Sequence, residues 1–164
     1  METARTATLI TATITTGLIS GLFYAFTVAV MPGLARSSDK TLVEAMQNIN
    51  KAILNGWFML AYLGAPLLTA VTLVLHATDP DTRDVILPLA AALAAYVAAM
   101  GVTARINIPL NNALDQAGSP EHTDTTTAHT TRTAYETPWN KATTWRTVLT
   151  TVSLGLLAYA LTLH

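Results

Sequence analysis

The side chains best suited to chemistry lie close together in the stretch TARINIPLN, in the second half of the chain. Thr103 and Asn107 are four positions apart and therefore share one face of a helix, and Asn111 joins that face if the helix continues through Pro109. Arg105 supplies the only charge in the stretch. A polar group buried without a partner costs roughly 2–7 kcal/mol. An arginine among amides therefore indicates mutual hydrogen bonding, a guanidinium that reaches water, or a ligand that completes the network.

Several classes of chemistry are excluded because the residues they need are missing. The chain has no cysteine, so it has no thiolate nucleophile, iron–sulfur cluster or cysteine-type zinc site. Its histidines, His76, His122, His129 and His164, show no i,i+3 or i,i+4 spacing, and we expect no metal site. No phosphate-binding loop or dinucleotide fingerprint occurs, so we expect no cofactor. A net charge of −1 gives no basic surface for nucleic acid.

The elements that position these residues follow from the scarcity of charge. Charged residues make up 12% of the 164 residues, about half the share in an average soluble domain. Four apolar stretches contain none, and each is long enough for the hydrocarbon core, which needs about 20 residues. The sequence predicts an all-α integral membrane protein, an up-down-up-down four-helix bundle forming a single transmembrane domain over residues 1–164. The predicted spans cover residues 8–30, 52–76, 85–107 and 145–163, approximately.

Two polar segments connect the spans at one side of the membrane. In the first, Leu42, Met46, Ile49 and Ile53 recur at helical spacing, which predicts a short amphipathic helix in the membrane interface between spans one and two. The second, residues 111–141, is rich in threonine and is predicted to form a polar cytoplasmic loop before span four.

Prolines and tyrosines inside the spans predict contacts between helices. Pro66 lacks an N–H and frees the carbonyl of Tyr62, which then needs a partner within the protein. Helix termination and a role in shaping a site explain Pro32 and Pro109 equally well. Interhelical hydrogen bonding is the favoured interpretation of the mid-span hydroxyls, and lining a cavity for an aromatic ligand is the alternative. These hydroxyls belong to Tyr24, Tyr62 and Tyr96.

Gly17 and Gly21 form a small-xxx-small pair, which allows a helix to approach its neighbour closely. Packing within the bundle is the favoured interpretation, and contact between two copies in a homo-oligomer is the alternative.

Lysine and arginine residues predict the orientation. Seven of the nine lie in the first and third loops or beside them, and only Arg5 and Arg83 lie at the other side. We expect a plasma-membrane protein with loops one and three in the cytoplasm and both termini outside. This topology brings one largely polar set to one face, consisting of Pro32, Asn50, Asn55, Arg105, Asn107, Asn111, Trp139 and Arg146.

Specific strings give the sequence a resemblance to a known family. They are GLFYAF at residues 21–26, VMPGL at 30–34, AMQNIN at 45–50, VTARINIPLN at 102–111, PW at 138–139 and RT at 146–147. In order and spacing they resemble the anthrone oxygenase-like family of small four-span membrane proteins. One departure is Thr143, where the family often has Asn or His. The resemblance implies oxidation of a hydroxyanthrone to an anthraquinone by dioxygen, without a known cofactor, in aromatic polyketide biosynthesis.

That activity assigns roles to the polar set. Arg105 and Arg146 would stabilise the anion of a hydrophobic aromatic substrate drawn from the bilayer. Asn50, Asn107 and Asn111 would donate hydrogen bonds to it. Side chains suited to binding or stacking on its rings are Tyr24, Trp57, Phe58, Tyr62 and Trp139.

The proton acceptor is left open by the sequence. Either His122 or His129 folds over the site, or water takes the proton from a substrate made acidic by the arginines.

Three hypotheses follow from the sequence. The first is a cofactor-independent monooxygenase of the anthrone oxygenase type. The second is a non-catalytic membrane protein that binds a lipid-like or quinone-like ligand or assembles with partners. A small-molecule exporter is the least favoured, because four spans need to oligomerise before they can enclose a path.

Overall fold

The computed structural model describes residues 2–79 and 82–163, and it is all-α throughout these ranges. His164, a histidine considered as a ligand, lies outside them. Five helices are present, α1 (Glu2–Leu34), α2 (Asp39–Ala52), α3 (Gly56–Ala77), α4 (Arg83–Gln116) and α5 (Thr125–Leu163). A short 3₁₀ turn, Pro120–His122, precedes α5.

Side-chain caps fix where two of the helices begin. Ser38 precedes α2 and its Oγ accepts a hydrogen bond from the backbone N–H of Thr41 at 3.2 Å. Asn55 precedes α3 and its Oδ1 accepts one from Phe58 at 3.0 Å. Each cap satisfies an N–H that the first turn of a helix leaves unpaired.

The four long helices form an up-down-up-down bundle. Between α1 and α5, the hydroxyl of Ser20 is hydrogen-bonded to that of Thr151, and the hydroxyl of Thr27 to that of Thr147. Residue numbers therefore fall along α5 as they rise along α1, so the two helices are antiparallel. Between α4 and α5, Ser153 donates to the carbonyl of Ala92 while Asn107 meets Thr143, which shows the same antiparallel order.

All four long helices have the length and apolar composition needed to cross a membrane. The bundle also exposes large apolar side chains on its outer faces, among them Leu18, Leu60, Leu67, Val74 and Leu87. A soluble monomer rarely exposes so much apolar surface. The prediction of an all-α, four-helix membrane protein is therefore confirmed.

The helices extend beyond the predicted spans at one end of the bundle. Neither Pro32 nor Pro109 ends its helix. Instead, each follows a π-helical turn, Phe26–Val30 in α1 and Thr103–Asn107 in α4. A π turn accommodates one extra residue and is frequently found at functional sites. Termination, one of the two interpretations of these prolines, is thus wrong.

The threonine-rich stretch at residues 111–141 also differs from the predicted loop, because most of it belongs to α4 and α5. Threonine hydroxyls explain how such a polar stretch can be helical. Thr130 and Thr133 each donate to the carbonyl four residues earlier, at 3.0 and 2.9 Å. Hydroxyls that bond to their own helix need no other polar partner.

The amphipathic helix α2 is present, and its apolar stripe packs against protein. Leu42 and Met46 are completely buried, in a cluster with Leu114, Tyr135 and Trp139. Helix α2 therefore covers the end of the bundle where α1 and α4 end and α3 and α5 begin. We call this the covered end.

Arg132 of α5 fastens α2 and the segment before it to the bundle. Its guanidinium donates to the carbonyls of Ala35 and Ser37 and to Oδ1 of Asp39, at 2.9–3.0 Å. Its Nε pairs with Glu136 at 2.6 Å. The covering helix is thus held by its N-terminus as well as by its apolar face.

The opposite end of the bundle is filled. Leu9, Val85, Leu89 and Leu157 are almost fully buried there. Arg5 lies at the margin of this region with only 7% of its surface exposed, and its Nη1 pairs with Asp79 at 2.6 Å.

Contacts in the middle of the bundle confirm an interhelical hydrogen bond for Tyr96 and packing inside the bundle for Gly17. The hydroxyl of Tyr96 donates to the carbonyl of Tyr62 at 2.9 Å, which is the carbonyl that Pro66 leaves free. Gly17 packs inside the bundle, where a Cβ would lie 3.6 Å from Leu154, whereas Gly21 has no neighbour within 4 Å of that position.

Candidate functional site

A cavity of about 200 Å³ lies inside the covered end. Its walls are largely apolar and aromatic, with Leu22, Phe23, Phe26, Phe58, Tyr62 and Trp139 among the lining residues. Its polar lining comes from Asn50, Thr103, Asn107, Asn111 and Arg146. Flat apolar walls with a few converging polar groups are typical of small-molecule sites.

Arg146 is the charged group of this cavity, and 6% of its surface is exposed. Its guanidinium carbon lies 4.3 Å from the ring centroid of Phe23 and 5.4 Å from that of Trp139. Such cation–π contacts compensate part of the lost hydration. No carboxylate in the described part of the chain pairs with Arg146. The cavity therefore holds a buried positive charge without a negative partner.

The hydroxyl of Thr143 connects two of the polar groups. Its Oγ1 accepts a hydrogen bond from Nη2 of Arg146 at 2.7 Å and a longer one from Nδ2 of Asn107 at 3.4 Å. Thr143 is one helical turn before Arg146, so α5 alone sets this distance. The pair of bonds fixes how the guanidinium and the Asn107 amide are turned.

Three buried polar atoms of the lining residues have no hydrogen-bond partner within residues 2–79 and 82–163. They are Nδ2 of Asn50, Oδ1 of Asn107 and Nε of Arg146. Buried polar groups in proteins are nearly always paired. Two donors and one acceptor of residues that line the cavity are thus exceptions to this rule.

Asn111 differs from Asn107, because its Oδ1 already accepts hydrogen bonds within the protein. It accepts hydrogen bonds from the Tyr135 hydroxyl at 3.1 Å and from Nε1 of Trp139 at 2.9 Å. The bond from Nε1 holds the Trp139 ring beside Phe26, with the ring centroids 5.8 Å apart. Asn111 therefore orients an aromatic wall of the cavity.

Of the ten residues that the sequence singles out, seven line the cavity. They are Asn50, Phe58, Tyr62, Asn107, Asn111, Trp139 and Arg146. Tyr24, Trp57 and Arg105 are exposed on the outside of the bundle and do not line it. Each is only one or two positions from a lining residue, and one step along a helix turns a side chain by about 100°. These three side chains therefore lie close to lining residues along their helices but on a different face.

Sequence reasoning missed Phe23, Phe26 and Thr143. Phe23 and Phe26 are three positions apart, and both occur in the GLFYAF motif, so helical spacing was the signal that could have found them. Thr143 stands out in the sequence only as a departure from the family pattern. Its position one turn before Arg146 was the available signal for its role.

No histidine covers the cavity within the described ranges. His122 is exposed, and Nδ1 of His129 lies 3.0 Å from Oδ2 of Asp39 on the outer surface. The alternative in which one of them folds over the site as the base is therefore not what the structure shows. No group of three metal-binding side chains comes together in residues 2–79 and 82–163.

The π turns place several lining residues. Phe26 lies in the turn of α1, and Thr103 and Asn107 lie in that of α4. An extra residue in a turn changes the angular relation between side chains before and after it. Beyond the turn in α4, Asn107 and Asn111 are four positions apart and both reach the cavity because the helix continues through Pro109.

Comparison with known proteins assigns the chain to a family. The family model described as anthrone oxygenase matches residues 58–156, more than half of the chain. The chain belongs to the anthrone oxygenase family. The matched region contains Phe58, Asn107, Trp139 and Arg146, four residues that line the cavity. No curated protein and no solved structure matches the chain.

Proposed function

We propose that this member of the anthrone oxygenase family is a membrane oxygenase. It binds a flat, hydrophobic phenol or anthrone in the cavity and promotes its oxidation by dioxygen to a quinone, without a cofactor. The observation that carries the proposal is Arg146, a buried guanidinium with no carboxylate partner in the described ranges, beside an aromatic-walled cavity. An unpaired buried charge is costly for folding, so its retention favours a role with an anionic ligand.

The chemistry balances without a prosthetic group. Loss of a proton from the central CH₂ of an anthrone leaves its electron pair in an extended enolate. The enolate reduces dioxygen as a new C–O bond forms, and the resulting hydroperoxide loses water to give the second carbonyl. The net change consumes one anthrone and one O₂ and yields one quinone and one H₂O. The protein needs only to bind the ring, favour the anion and admit oxygen.

Arg146 supplies the electrostatic part of this scheme. Its positive charge stabilises the enolate oxygen and makes the bound substrate a stronger acid. No carboxylate or imidazole lines the cavity in residues 2–79 and 82–163, so water is the proposed proton acceptor. Phe58 and Tyr62, which stack with ring centroids 5.3 Å apart, form a wall parallel to which a flat ring can lie.

The proposed location is the plasma membrane with the covered end toward the cytoplasm. The covered end carries seven of the nine lysine and arginine residues, which is the distribution found in cytoplasmic loops. A substrate dissolved in the bilayer fits this location, because Leu54, Met59 and Ile108 are exposed apolar members of the cavity lining. Hydroxylated anthrones made by aromatic polyketide pathways are the proposed natural substrates.

A pair of arginine variants tests the proposal. Purified protein in detergent is expected to convert a hydroxyanthrone to its quinone under oxygen and not under argon, faster than the spontaneous reaction. Arg146→Met is expected to reduce the rate about 100- to 1000-fold. Arg105→Met removes an exposed arginine of the same end and is the matched control. Equal rates for wild type and no protein, with ligand still bound, would instead favour a non-catalytic quinone-binding protein.

A further inference from the structure

A second cavity lies between α1 and α5 at the covered end, and it shares no lining residue with the first. Its volume is about 140 Å³, which is room for several water molecules. Thr27, Asn140 and Thr143 give it polar walls, and Ala35 is one of its exposed lining residues. We call this cavity the crevice.

The crevice is a gap between two contacts that join α1 to α5. At its membrane side, the hydroxyls of Thr27 and Thr147 are 2.9 Å apart. At its outer side, Arg132 donates to the carbonyl of Ala35 at 2.9 Å. Pro32 lies between these contacts and has no N–H, so a carbonyl in the turn before it loses its helical donor. Such a carbonyl needs a partner in the protein or in trapped water.

Two exposed tryptophans indicate how deep the crevice lies in the membrane. Trp57 and Trp145 are 82% and 56% exposed at the covered end, and tryptophan is enriched where a membrane meets water. Thr143 and Asn140 precede Trp145 in α5 and lie about 3 and 7.5 Å from it along the helix, toward the covered end. The crevice therefore extends from the interface toward water and away from the hydrocarbon core.

Thr143 connects the crevice with the charged group of the first cavity. Its Oγ1 accepts from Nη2 of Arg146 at 2.7 Å. The hydroxyls of Thr144, Thr147 and Thr150 each donate to the carbonyl four residues earlier, at 2.8–3.0 Å. The hydroxyl of Thr143 differs, because it donates to no acceptor among residues 2–79 and 82–163. Its hydrogen is therefore available to water in the crevice.

We infer that the crevice is a water-filled inlet through which the cavity exchanges protons with the water outside the covered end, with the Thr143 hydroxyl as the link. This inference rests on the proposed function, in which water accepts the substrate proton, and it deepens that proposal by naming the route of the proton.

The proton transfers balance over one turnover. As the enolate forms, a cavity water takes the substrate proton. Oγ1 of Thr143 takes a proton from that water while its own hydrogen passes to a crevice water, so the threonine is an uncharged hydroxyl before and after. The reverse transfer protonates the peroxide anion formed with dioxygen, which then loses water to give the quinone. One proton leaves and one returns, so the net reaction is unchanged.

Cysteine labelling tests whether the crevice holds water, because the chain has no cysteine of its own. Thr27→Cys places a thiol on the crevice wall. Val148→Cys places one at nearly the same depth, since Thr27 pairs with Thr147, but on the outer surface, where Val148 is 47% exposed. In lipid nanodiscs, the membrane-impermeant reagent sulfonatoethyl methanethiosulfonate is expected to modify Thr27→Cys about tenfold or more faster, because thiolates form in water and not in hydrocarbon. Mass spectrometry measures both rates.

Turnover of Thr27→Cys before and after labelling tests the proton route. The attached group displaces water from the crevice and leaves Arg146 and the aromatic walls of the first cavity unchanged. The kcat for a hydroxyanthrone is expected to fall about tenfold or more, while the affinity for the anthraquinone product stays the same. Wild type treated with the reagent is the control.

Each failure has a distinct meaning. Labelling of Thr27→Cys no faster than that of Val148→Cys overturns the inference, and Asn140→Cys, on the opposite wall, is judged by the same criterion if Thr27→Cys does not fold. An unchanged kcat after complete labelling also overturns it. Absence of turnover in wild type contradicts the proposed function, and the labelling rates still decide whether the crevice holds water.

Discussion

The two ends of the bundle treat a buried arginine in opposite ways. At the filled end, Arg5 is 7% exposed and is neutralised by Asp79, with its Nε also donating to the carbonyl of Leu75 at 2.9 Å. At the covered end, Arg146 is 6% exposed and has a threonine hydroxyl and two aromatic rings instead of a carboxylate. The two arginines are equally buried, but only the charge of Arg5 is balanced by a carboxylate. Arg5 therefore holds the fold together, whereas Arg146 is available to a ligand.

Removing each arginine is the most direct way to break this comparison. Arg5→Met removes the ion pair with Asp79 and a hydrogen bond to the Leu75 carbonyl. It is expected to lower the free energy of unfolding by about 2–3 kcal/mol, less than for a fully buried pair because Asp79 is partly exposed. Arg146→Met removes an uncompensated charge and is expected to leave stability unchanged or slightly higher. Unfolding of both variants in the same detergent, monitored by circular dichroism, measures the two effects. A large loss of stability in Arg146→Met would make it a structural residue like Arg5.

A carboxylate placed beside Arg146 is expected to neutralise its charge, as Asp79 neutralises that of Arg5 at the filled end. In Thr143→Asp the new carboxylate occupies the place of a hydroxyl 2.7 Å from the guanidinium and competes with an anionic ligand. Affinity for a hydroxylated anthraquinone is expected to fall about 100-fold, since a buried charge pair is worth a few kcal/mol. Thr144→Asp, at an exposed neighbour, is the control and keeps its affinity. Unchanged binding in Thr143→Asp would show that Arg146 does not contact the ligand.

The hydrogen bond between Tyr96 and the Tyr62 carbonyl, in the middle of the bundle, stabilises the fold, as the Arg5–Asp79 pair does. Tyr96→Phe is expected to lower the free energy of unfolding by about 1 kcal/mol, a typical value for one hydrogen bond. Pro66→Ala restores the N–H that normally bonds to this carbonyl. In that background the tyrosine substitution is expected to have a smaller effect, and a double-mutant cycle of the four proteins measures the difference. Equal effects in both backgrounds would rule out the shared carbonyl as their link.

The smallest effect concerns how α2 is held over the cavity. The pKa of Asp39 is lowered from 3.8, first by its hydrogen bond to His129 and also by Arg132. A carboxylate with a lowered pKa stabilises the fold above its unfolded pKa, and this contribution is lost as the pH falls through the folded value. Amide exchange in residues 39–52 is therefore expected to accelerate below about pH 4. Asp39→Asn is expected to show the faster exchange already at neutral pH, with no further change on acidification.

The sequence was informative about the membrane and less so about the site. The absence of charge from four stretches predicts the bundle directly, and the loop pattern predicts which helix ends meet. Two physical effects cannot be read from the sequence. Threonines that bond to their own helix made residues 125–141 look like a loop, and π turns shifted which side chains point inward. Arg105 and Arg146 both lie at an end of a predicted span, and only three-dimensional packing distinguishes the exposed one from the buried one.

The two π turns have a further consequence for how such a bundle can change over evolution. Each of them amounts to a one-residue insertion in a transmembrane helix, placed two residues before a proline and beside the cavity. Loss of one residue there would return the helix to regular winding and rotate the lining residues on one side of the turn relative to those on the other. The filled end would be untouched. Ligand preference in this architecture can therefore change through insertions and deletions of single residues within helices, as well as through substitution of the lining side chains.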